Sequence, residues 1–257
     1  MTTPDVLTTR DGPVLTVAFS RTGSANALTW AAYGALADAC KQADADDTVR
    51  CLVLRGHGTS PFAAGTDIAT FAAFASADDG AAYEDAIEAT VRQLAGVRVP
   101  TIAMIRGHAV GAGLMLAAAC DIRIAAAGTR FGIPIARTVG NCLSQAGYDL
   151  LADRLGSARL LRLLLTAQLC EADELRTAGF LAEIVPDERF EGRLAELCTL
   201  VSGLAPLTIR AAKLADSARR KQPGADIDFV RMCYGSRDFT DGVRAFLGHR
   251  PATWKGQ

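Results

Sequence analysis

Two spacings of apolar residues recur along the chain and predict strands that alternate with helices. Val14–Phe19 follows an alternating pattern, which predicts a strand, and Val49–Leu54 is almost wholly apolar, as in a strand buried on both faces. Apolar residues at positions 87, 91 and 94 predict a helix over Asp85–Leu94. The same reasoning predicts strands at Thr101–Ile105 and Ile122–Ala125, and helices from the cap Thr29 to about Gln42 and at Ala112–Ala119, Leu143–Leu151, Ala158–Leu165 and Glu171–Ala178.

Strands alternating with helices indicate the α/β class, up to a change of pattern near Phe190. Beyond that residue the pattern is helical only, as in the apolar stretch Leu194–Leu204. We therefore predict two domains, residues 1–190 with the strands and residues 191–257 made of helices. A chain of 257 residues is long enough to bury one large core and carry a helical appendage.

Charge and hydropathy argue against two classes of partner. The formal net charge of −1 gives no reason to expect nucleic acid or an anionic membrane surface. No apolar run reaches about 18 residues, the length of a spanning helix, and Met1–Asp5 lacks the pattern of a signal peptide. We expect a cytoplasmic protein without a membrane segment.

The seven cysteines are odd in number and include no pair at the spacing of a metal site. Most stand among apolar neighbours, so we expect buried free thiols in a reducing compartment and no bound metal. They are Cys40, Cys51, Cys120, Cys142, Cys170, Cys198 and Cys233.

Two turns rich in glycine and alanine are the strongest candidates for a functional site. The first is Pro61–Ile68, in which Asp67 is expected to cap the following helix. The second lies in Ile105–Met115, where a short apolar strand runs into small residues that open an apolar helix. Such turns let a ligand approach backbone N–H groups at a helix N-terminus, where the dipole favours negative charge. Two of them aimed at one point would stabilise a single oxyanion.

Together the two turns resemble the signatures of the crotonase superfamily, also called the enoyl-CoA hydratase/isomerase family. The resemblance implies a spiral of ββα turns followed by a helical C-terminal domain that packs into trimers or pairs of trimers. It also implies an acyl-CoA thioester as substrate, with no cofactor beyond its CoA moiety. The resemblance covers nearly the whole chain, through Ser20–Leu28, both turns, Asp121–Arg123, Phe131–Pro134, Ala245–Leu247 and Trp254–Gly256.

The resemblance also implies roles for single residues. Family members hold the thioester oxygen with two backbone N–H groups, which correspond to those of Thr66 and Ala112. In the family's Phe-x-x-Lys-Arg segment, which begins here at Phe246, His249 replaces the lysine that reaches a CoA phosphate of the adjacent subunit. The positions that line the pantetheine and adenine in the family match Arg21, Ala25, Ala64, Asp67 and Ile68.

The acid–base positions depart from the hydratase pattern. A hydratase needs carboxyl groups to activate water and to protonate the α-carbon. The two positions that carry glutamates in typical family hydratases are Met115 and Ile135 here, and neither side chain can transfer a proton. The resemblance and this departure together imply an acyl-CoA enzyme that uses the oxyanion hole without ordinary hydration, by decarboxylation, isomerisation or thioester hydrolysis. The alternative is a homologue that binds or scaffolds acyl-CoA with little turnover.

Four other polar residues are candidates, each with a simpler structural interpretation. Glu88 matches a functional histidine of the 4-chlorobenzoyl-CoA dehalogenase branch, but a solvent-facing glutamate on an amphipathic helix needs no function. Cys142 aligns with the nucleophilic aspartate of that branch, and is either an activated thiolate or a small buried residue at a helix start. Arg137 could bind a substrate carboxylate or face solvent or another subunit. Asn141 could take part in chemistry or cap a helix.

Overall fold

Nine strands form two sheets in the computed structural model, which describes residues 4–220, 235–248 and 250–257. The strands are β1 (Val6–Asp11), β2 (Val14–Phe19), β3 (Cys51–Gly56), β4 (Thr101–Ile105), β5 (His108–Val110), β6 (Ile122–Ala126), β7 (Arg130–Gly132), β8 (Cys170–Glu171) and β9 (Glu183–Val185). The main sheet has the order β1-β2-β3-β4-β6-β9, and its neighbours are parallel except β1 and β2. The smaller sheet has the order β5-β7-β8.

Ten α-helices occur among the described residues, and together with the sheets they confirm the predicted α/β class. They are α1 (Trp30–Ala45), α2 (Ala77–Gly96), α3 (Ala112–Ala119), α4 (Ile135–Thr138), α5 (Gln145–Leu155), α6 (Ser157–Thr166), α7 (Ala172–Thr177), α8 (Phe190–Ser202), α9 (Pro206–Arg220) and α10 (Arg237–Leu247). Short 3₁₀ turns lie at Thr22–Ser24, Ile68–Ala73 and Asp187–Arg189.

The main sheet is buried on both faces. Leu52 and Leu54 of β3 belong to a large core cluster with residues of α1, α2 and α3. Cys51 and Val53, which alternate with them, belong to a second cluster that includes the apolar face of α8. The apolar stretch predicted as a doubly buried strand therefore has that environment, with its strand two residues further along the chain. By contrast, β1 is mostly exposed and its apolar pattern is too weak to predict.

Helix starts differ in how well local sequence marks them. Thr29 caps α1 as predicted, because its hydroxyl accepts the N–H of Ala32 at 3.1 Å. However, α2 begins eight residues before the predicted Asp85, at a capping box formed by Ser76 and Asp79. The first two turns of α2 contain little apolar surface, so periodicity alone does not reveal them.

After β9 the regular elements of the described chain are all helices, and residues 250–257 have no regular secondary structure. Its helix α8 covers one face of the main sheet, and α9 is tied to the sheet by an ion pair between Lys213 and Asp121. Asp121 also accepts the backbone N–H of Thr101 at 2.8 Å. No single described helix is long and apolar enough to cross a membrane; only the pair Asp187–Ser202 and Pro206–Arg219 meets that criterion, with a bend of 100° between its members.

The cysteines follow the prediction with one exception. Cys142 is exposed, and the other described cysteines are buried free thiols: Cys40, Cys51, Cys120, Cys170 and Cys198. Cys233 lies outside the described residues. Within the described part of the chain, no group of three or more histidine, cysteine, aspartate or glutamate side chains could hold a metal ion.

Candidate active site

The two small-residue turns meet in the fold. Gly65 and Gly111 both adopt positive φ values, +98° and +54°, which favour glycine. A Cβ added to Gly111 would lie 3.7 Å from the Cα of Gly65, and one added to Gly65 would lie 3.2 Å from the carbonyl oxygen of Val110. The backbones of the turns are therefore in van der Waals contact, and a Cβ at position 65 would force the Val110 carbonyl to move.

The contact brings two unpaired backbone donors into one cavity. Thr66 and Ala112 both line a cavity of about 120 Å³. Neither of their N–H groups has an acceptor among the residues that the structure describes. Ala112 is the first residue of α3, so its N–H is one of those that a helix leaves free, at the positive end of the helix dipole.

Gly65→Ala is expected to lower the free energy of unfolding by about 1–3 kcal/mol, because the new Cβ meets the Val110 carbonyl at a strained φ. Gly58→Ala is the matched control, since Gly58 also has positive φ (+58°) but faces open space. Chemical denaturation of both variants measures the difference. Equal losses of stability in the two variants would show that backbone strain alone, and not the close approach of the turns, restricts position 65.

Apolar side chains form most of the cavity wall. Met115 and Ile135, the two positions that the resemblance matches to hydratase glutamates, both line it. Met115 is only 4% exposed, and a Cβ added to Gly147 of α5 would lie 2.9 Å from its methyl group. Among the described residues, no lysine, arginine or histidine lines the cavity. A substrate carboxylate would therefore meet no cation among the described residues of this wall.

Glu84 is the single carboxyl group in the described lining of this cavity. It lies on α2, is half-buried, and accepts the backbone N–H of Ser144 at 3.2 Å. Burial removes water from the carboxylate and raises the pKa of Glu84, while the hydrogen bond from Ser144 acts in the opposite direction. The sequence pattern did not single out Glu84, because the predicted helix starts one residue later. An earlier helix start, at the Ser-x-x-Asp capping pattern, would have placed it on the same helix as Ile87.

A chain of three hydroxyls stands beside the first turn. The Thr66 hydroxyl is 2.7 Å from the Tyr33 hydroxyl and 2.6 Å from the Tyr83 hydroxyl. Burial raises the pKa of both tyrosines, so they are neutral hydrogen-bonding groups at ordinary pH. Tyr83 also makes edge-on or tilted ring contacts with Trp30, Phe71 and Phe74. These contacts fix α2 next to Thr66.

Of the four remaining catalytic candidates, two line the cavity and two do not. Glu88 does not line it, and its carboxylate lies 3.6 Å from Arg92 on the exposed side of α2. Arg137 is exposed and also lies outside the lining. Asn141 and Cys142 do line the cavity.

The environment of Cys142 differs from both sequence-based interpretations. It is exposed and not buried, and it does not stand at a helix start. The cap of α5 is Ser144, whose hydroxyl accepts the N–H of Gly147 at 3.1 Å. Asn141 is therefore not the cap either. Cys142 lies two residues before the cap, where the helix dipole has less influence on a thiol.

Three of the residues assigned to CoA by resemblance, Arg21, Asp67 and Ile68, lie in or beside the first turn. Arg21 pairs with Asp67 at 2.9 Å and donates to the Ala27 carbonyl at 2.8 Å. Asp67 caps the following 3₁₀ turn through the N–H of Ala69, as predicted. Ile68 is 57% exposed.

Four more residues were assigned to CoA by resemblance. The structure describes Ala25 and Ala64 in full, but not Phe246 and His249. Ala25 has a φ of +53°, and Ala64 lines the cavity. Phe246 lies within α10, of which only the backbone is described at that position. His249 lies outside the described residues.

Comparison with known proteins identifies the family. A family model described as enoyl-CoA hydratase/isomerase matches residues 9–257. The chain belongs to this family. Family membership agrees with the fold, because an enoyl-CoA hydratase/carnitine racemase from Magnetospirillum magneticum superposes with a TM-score of 0.92 at 27% identity. That alignment covers 100% of this chain and 97% of the other.

Relatives in the family differ in the activities that their names record. The 1,2-epoxyphenylacetyl-CoA isomerase of Escherichia coli is 30% identical over 254 residues, which cover 95% of each chain. A Mycobacterium tuberculosis protein named "Probable enoyl-CoA hydratase echA8" is 29% identical over 97% of each chain. Similarity at this level establishes an enzyme family that acts on acyl-CoA thioesters, and the reaction must be argued from the site.

Proposed function

We propose that this protein forms the enolate of an acyl-CoA thioester and stabilises it with the N–H groups of Thr66 and Ala112. The observation that carries the proposal is the contact between the two turns, which leaves both donors without an acceptor in one cavity. Fixed donors aimed at a developing oxyanion need no reorganisation when the charge forms, and so lower the barrier. Family membership supports an acyl-CoA thioester as the ligand.

Isomerisation by proton transfer is the enolate reaction that the cavity supports best. Met115 and Ile135 cannot activate water, so hydration lacks its two acid–base groups. Decarboxylation requires a substrate carboxylate, and no cation in the described lining would bind one. A proton shift along an acyl chain needs one acid–base group, and Glu84 lines the cavity. The cavity volume of about 120 Å³ favours a short acyl group.

A panel of short acyl-CoA thioesters tests this function. We expect binding in calorimetry, and conversion of 3-butenoyl-CoA to its isomer crotonyl-CoA, followed by the absorbance of the newly conjugated thioester. No binding of any thioester at millimolar concentration would overturn the assignment of the ligand. Binding without product, and without deuterium uptake from D₂O, would instead support the non-catalytic acyl-CoA-binding alternative.

We also propose assembly into trimers or pairs of trimers, as the resemblance implies, with residues 191–257 contributing to the interface. Leu200 in the last turn of α8 and Leu204 just after the helix support an interface there, because they are 57% and 45% exposed. Sedimentation at micromolar concentration should give a mass of three or six chains. A monodisperse monomer would contradict this expectation.

A further inference from the structure

We propose that Glu84 is the catalytic residue that moves the substrate proton, replacing from α2 the acid–base groups that are absent at positions 115 and 135. This inference rests on the proposed enolate chemistry and adds the residue that performs it. In the described lining of the cavity, Glu84 is the single carboxyl group, and it shares that lining with Thr66 and Ala112.

Two sets of contacts hold this turn of α2 between the first turn and the segment around Ser144. On one side, the neighbouring Tyr83 hydroxyl is 2.6 Å from the Thr66 hydroxyl, so this turn of α2 lies against the first turn. On the other side, the Glu84 carboxylate accepts the N–H of Ser144 at 3.2 Å.

The hydrogen bond from Ser144 connects Glu84 to the segment that packs against Met115. The Ser144 hydroxyl accepts the N–H of Gly147 at 3.1 Å, and Gly147 packs against the methyl group of Met115. The Glu84 carboxyl is thus held, through one hydrogen bond, at the segment that Met115 contacts. A glutamate at position 115 would extend from α3 toward this same segment.

The hydrogen bond to Ser144 occupies one carboxylate oxygen, and no described residue donates to the other. A carboxylate anchored at one oxygen keeps its second oxygen for a substrate proton while its orientation is fixed. Burial raises the pKa of this carboxyl toward the range in which it both accepts and returns a proton efficiently.

The other titratable groups of the cavity are less suited to this role. The hydroxyl of Tyr83 is already engaged by Thr66, and burial raises its pKa further above neutrality. Cys142 has no histidine beside it in the described lining to activate its thiol. Glu88, one turn along α2, faces Arg92 instead of the cavity.

Glu84 alone both removes and returns the proton in this step. The Glu84 carboxylate removes a proton from Cα of a β,γ-unsaturated thioester, and the C–H electron pair forms a double bond to the carbonyl carbon. The carbonyl π pair moves to the oxygen, which accepts hydrogen bonds from the N–H groups of Thr66 and Ala112. The dienolate then takes the proton from Glu84 at Cγ, which restores the carbonyl and leaves the double bond between Cα and Cβ. No water, oxidant or second substrate is consumed.

Glu84→Gln, with Glu88→Gln as the matched control on the same helix, tests the assignment. The amide oxygen of glutamine still accepts the Ser144 N–H, so the substitution removes the acid–base function and keeps the contact. We expect isomerisation of 3-butenoyl-CoA by E84Q to fall by about 10²-fold or more, the contribution of one acid–base group. The Kd for the thioester and the thermal unfolding temperature should stay close to those of the wild type, and E88Q should match the wild type in all three.

Two further measurements separate catalysis from a structural role. Glu84→Asp keeps an acid with a shorter reach, so its rate should lie between those of the wild type and E84Q, and it substitutes for E84Q if that variant fails to fold.

In the wild type the rate should rise with pH as Glu84 ionises, with a midpoint above the ordinary value for glutamate. Of the titratable groups that line the cavity, Tyr83 stays neutral through that range because its pKa is raised. The pH step should disappear in E84Q and persist in Cys142→Ser.

The outcomes distinguish this inference from the function on which it rests. An active wild type together with an E84Q rate within threefold of it would overturn the role of Glu84 and leave the proposed function standing. Equal losses in E84Q and E88Q would also overturn it. A wild type that binds the thioester but moves no deuterium would overturn the proposed function, and the assignment of Glu84 with it.

Discussion

Replacing Ala112 by proline is expected to lower turnover of 3-butenoyl-CoA by about 10²–10³-fold, the usual contribution of one oxyanion donor. Proline removes the backbone N–H and leaves the other proposed donor, at Thr66, in place. The substitution is compatible with the fold, because Ala112 is the first residue of α3 and proline is favoured at that position. The preceding residue, Gly111, has no Cβ to collide with the proline ring. Steady-state kinetics together with thermal unfolding measure the effect.

Ala112→Gly is the control for this experiment, since it changes the same side chain and keeps the N–H. Its turnover should stay within a few-fold of the wild type. A proline variant that unfolds at the wild-type temperature and also turns over at the wild-type rate would remove Ala112 from the oxyanion site. Since the proposal depends on both donors, that result would also remove its main support.

Hydration of crotonyl-CoA is expected to be very slow in the wild type and to rise about 10²-fold or more in the double variant Met115→Glu, Ile135→Glu. Each acid–base group contributes about 10²–10⁴-fold, and the wild type lacks both at these positions. The single replacements should have little effect, because the two carboxyl groups act as a unit. Hydration is followed through the loss of the conjugated thioester.

The double variant Met115→Gln, Ile135→Gln is the matched control, because it introduces the same size and polarity without an acid. It should not gain hydration activity. Met115 is buried against Gly147, so both double variants must first be shown to unfold cooperatively. A wild-type turnover of crotonyl-CoA above about 10 s⁻¹, the median for enzymes, would mean that other residues already supply the chemistry of hydration.

Features set by a few neighbouring residues could be predicted from the sequence. The apolar stretch around β3 indicated burial on both faces, and Thr29 indicated the start of α1. The resemblance carried by the two small-residue turns indicated the family, which the match over residues 9–257 establishes. In each case the signal is local, because periodicity, a capping side chain or a glycine acts over a few residues.

The sequence by itself determined the turns, the doubly buried strand β3 and the absence of acids at positions 115 and 135. Only the tertiary structure decided which polar groups share a cavity with those turns. Glu84 and Glu88 are four residues apart and lie on the same face of α2, but only Glu84 is at the level of the cavity, while Glu88, one turn further along, lies beside Arg92. Cavities form where separate elements meet, so their contents depend on helix rotation and long-range contacts that local pattern does not encode.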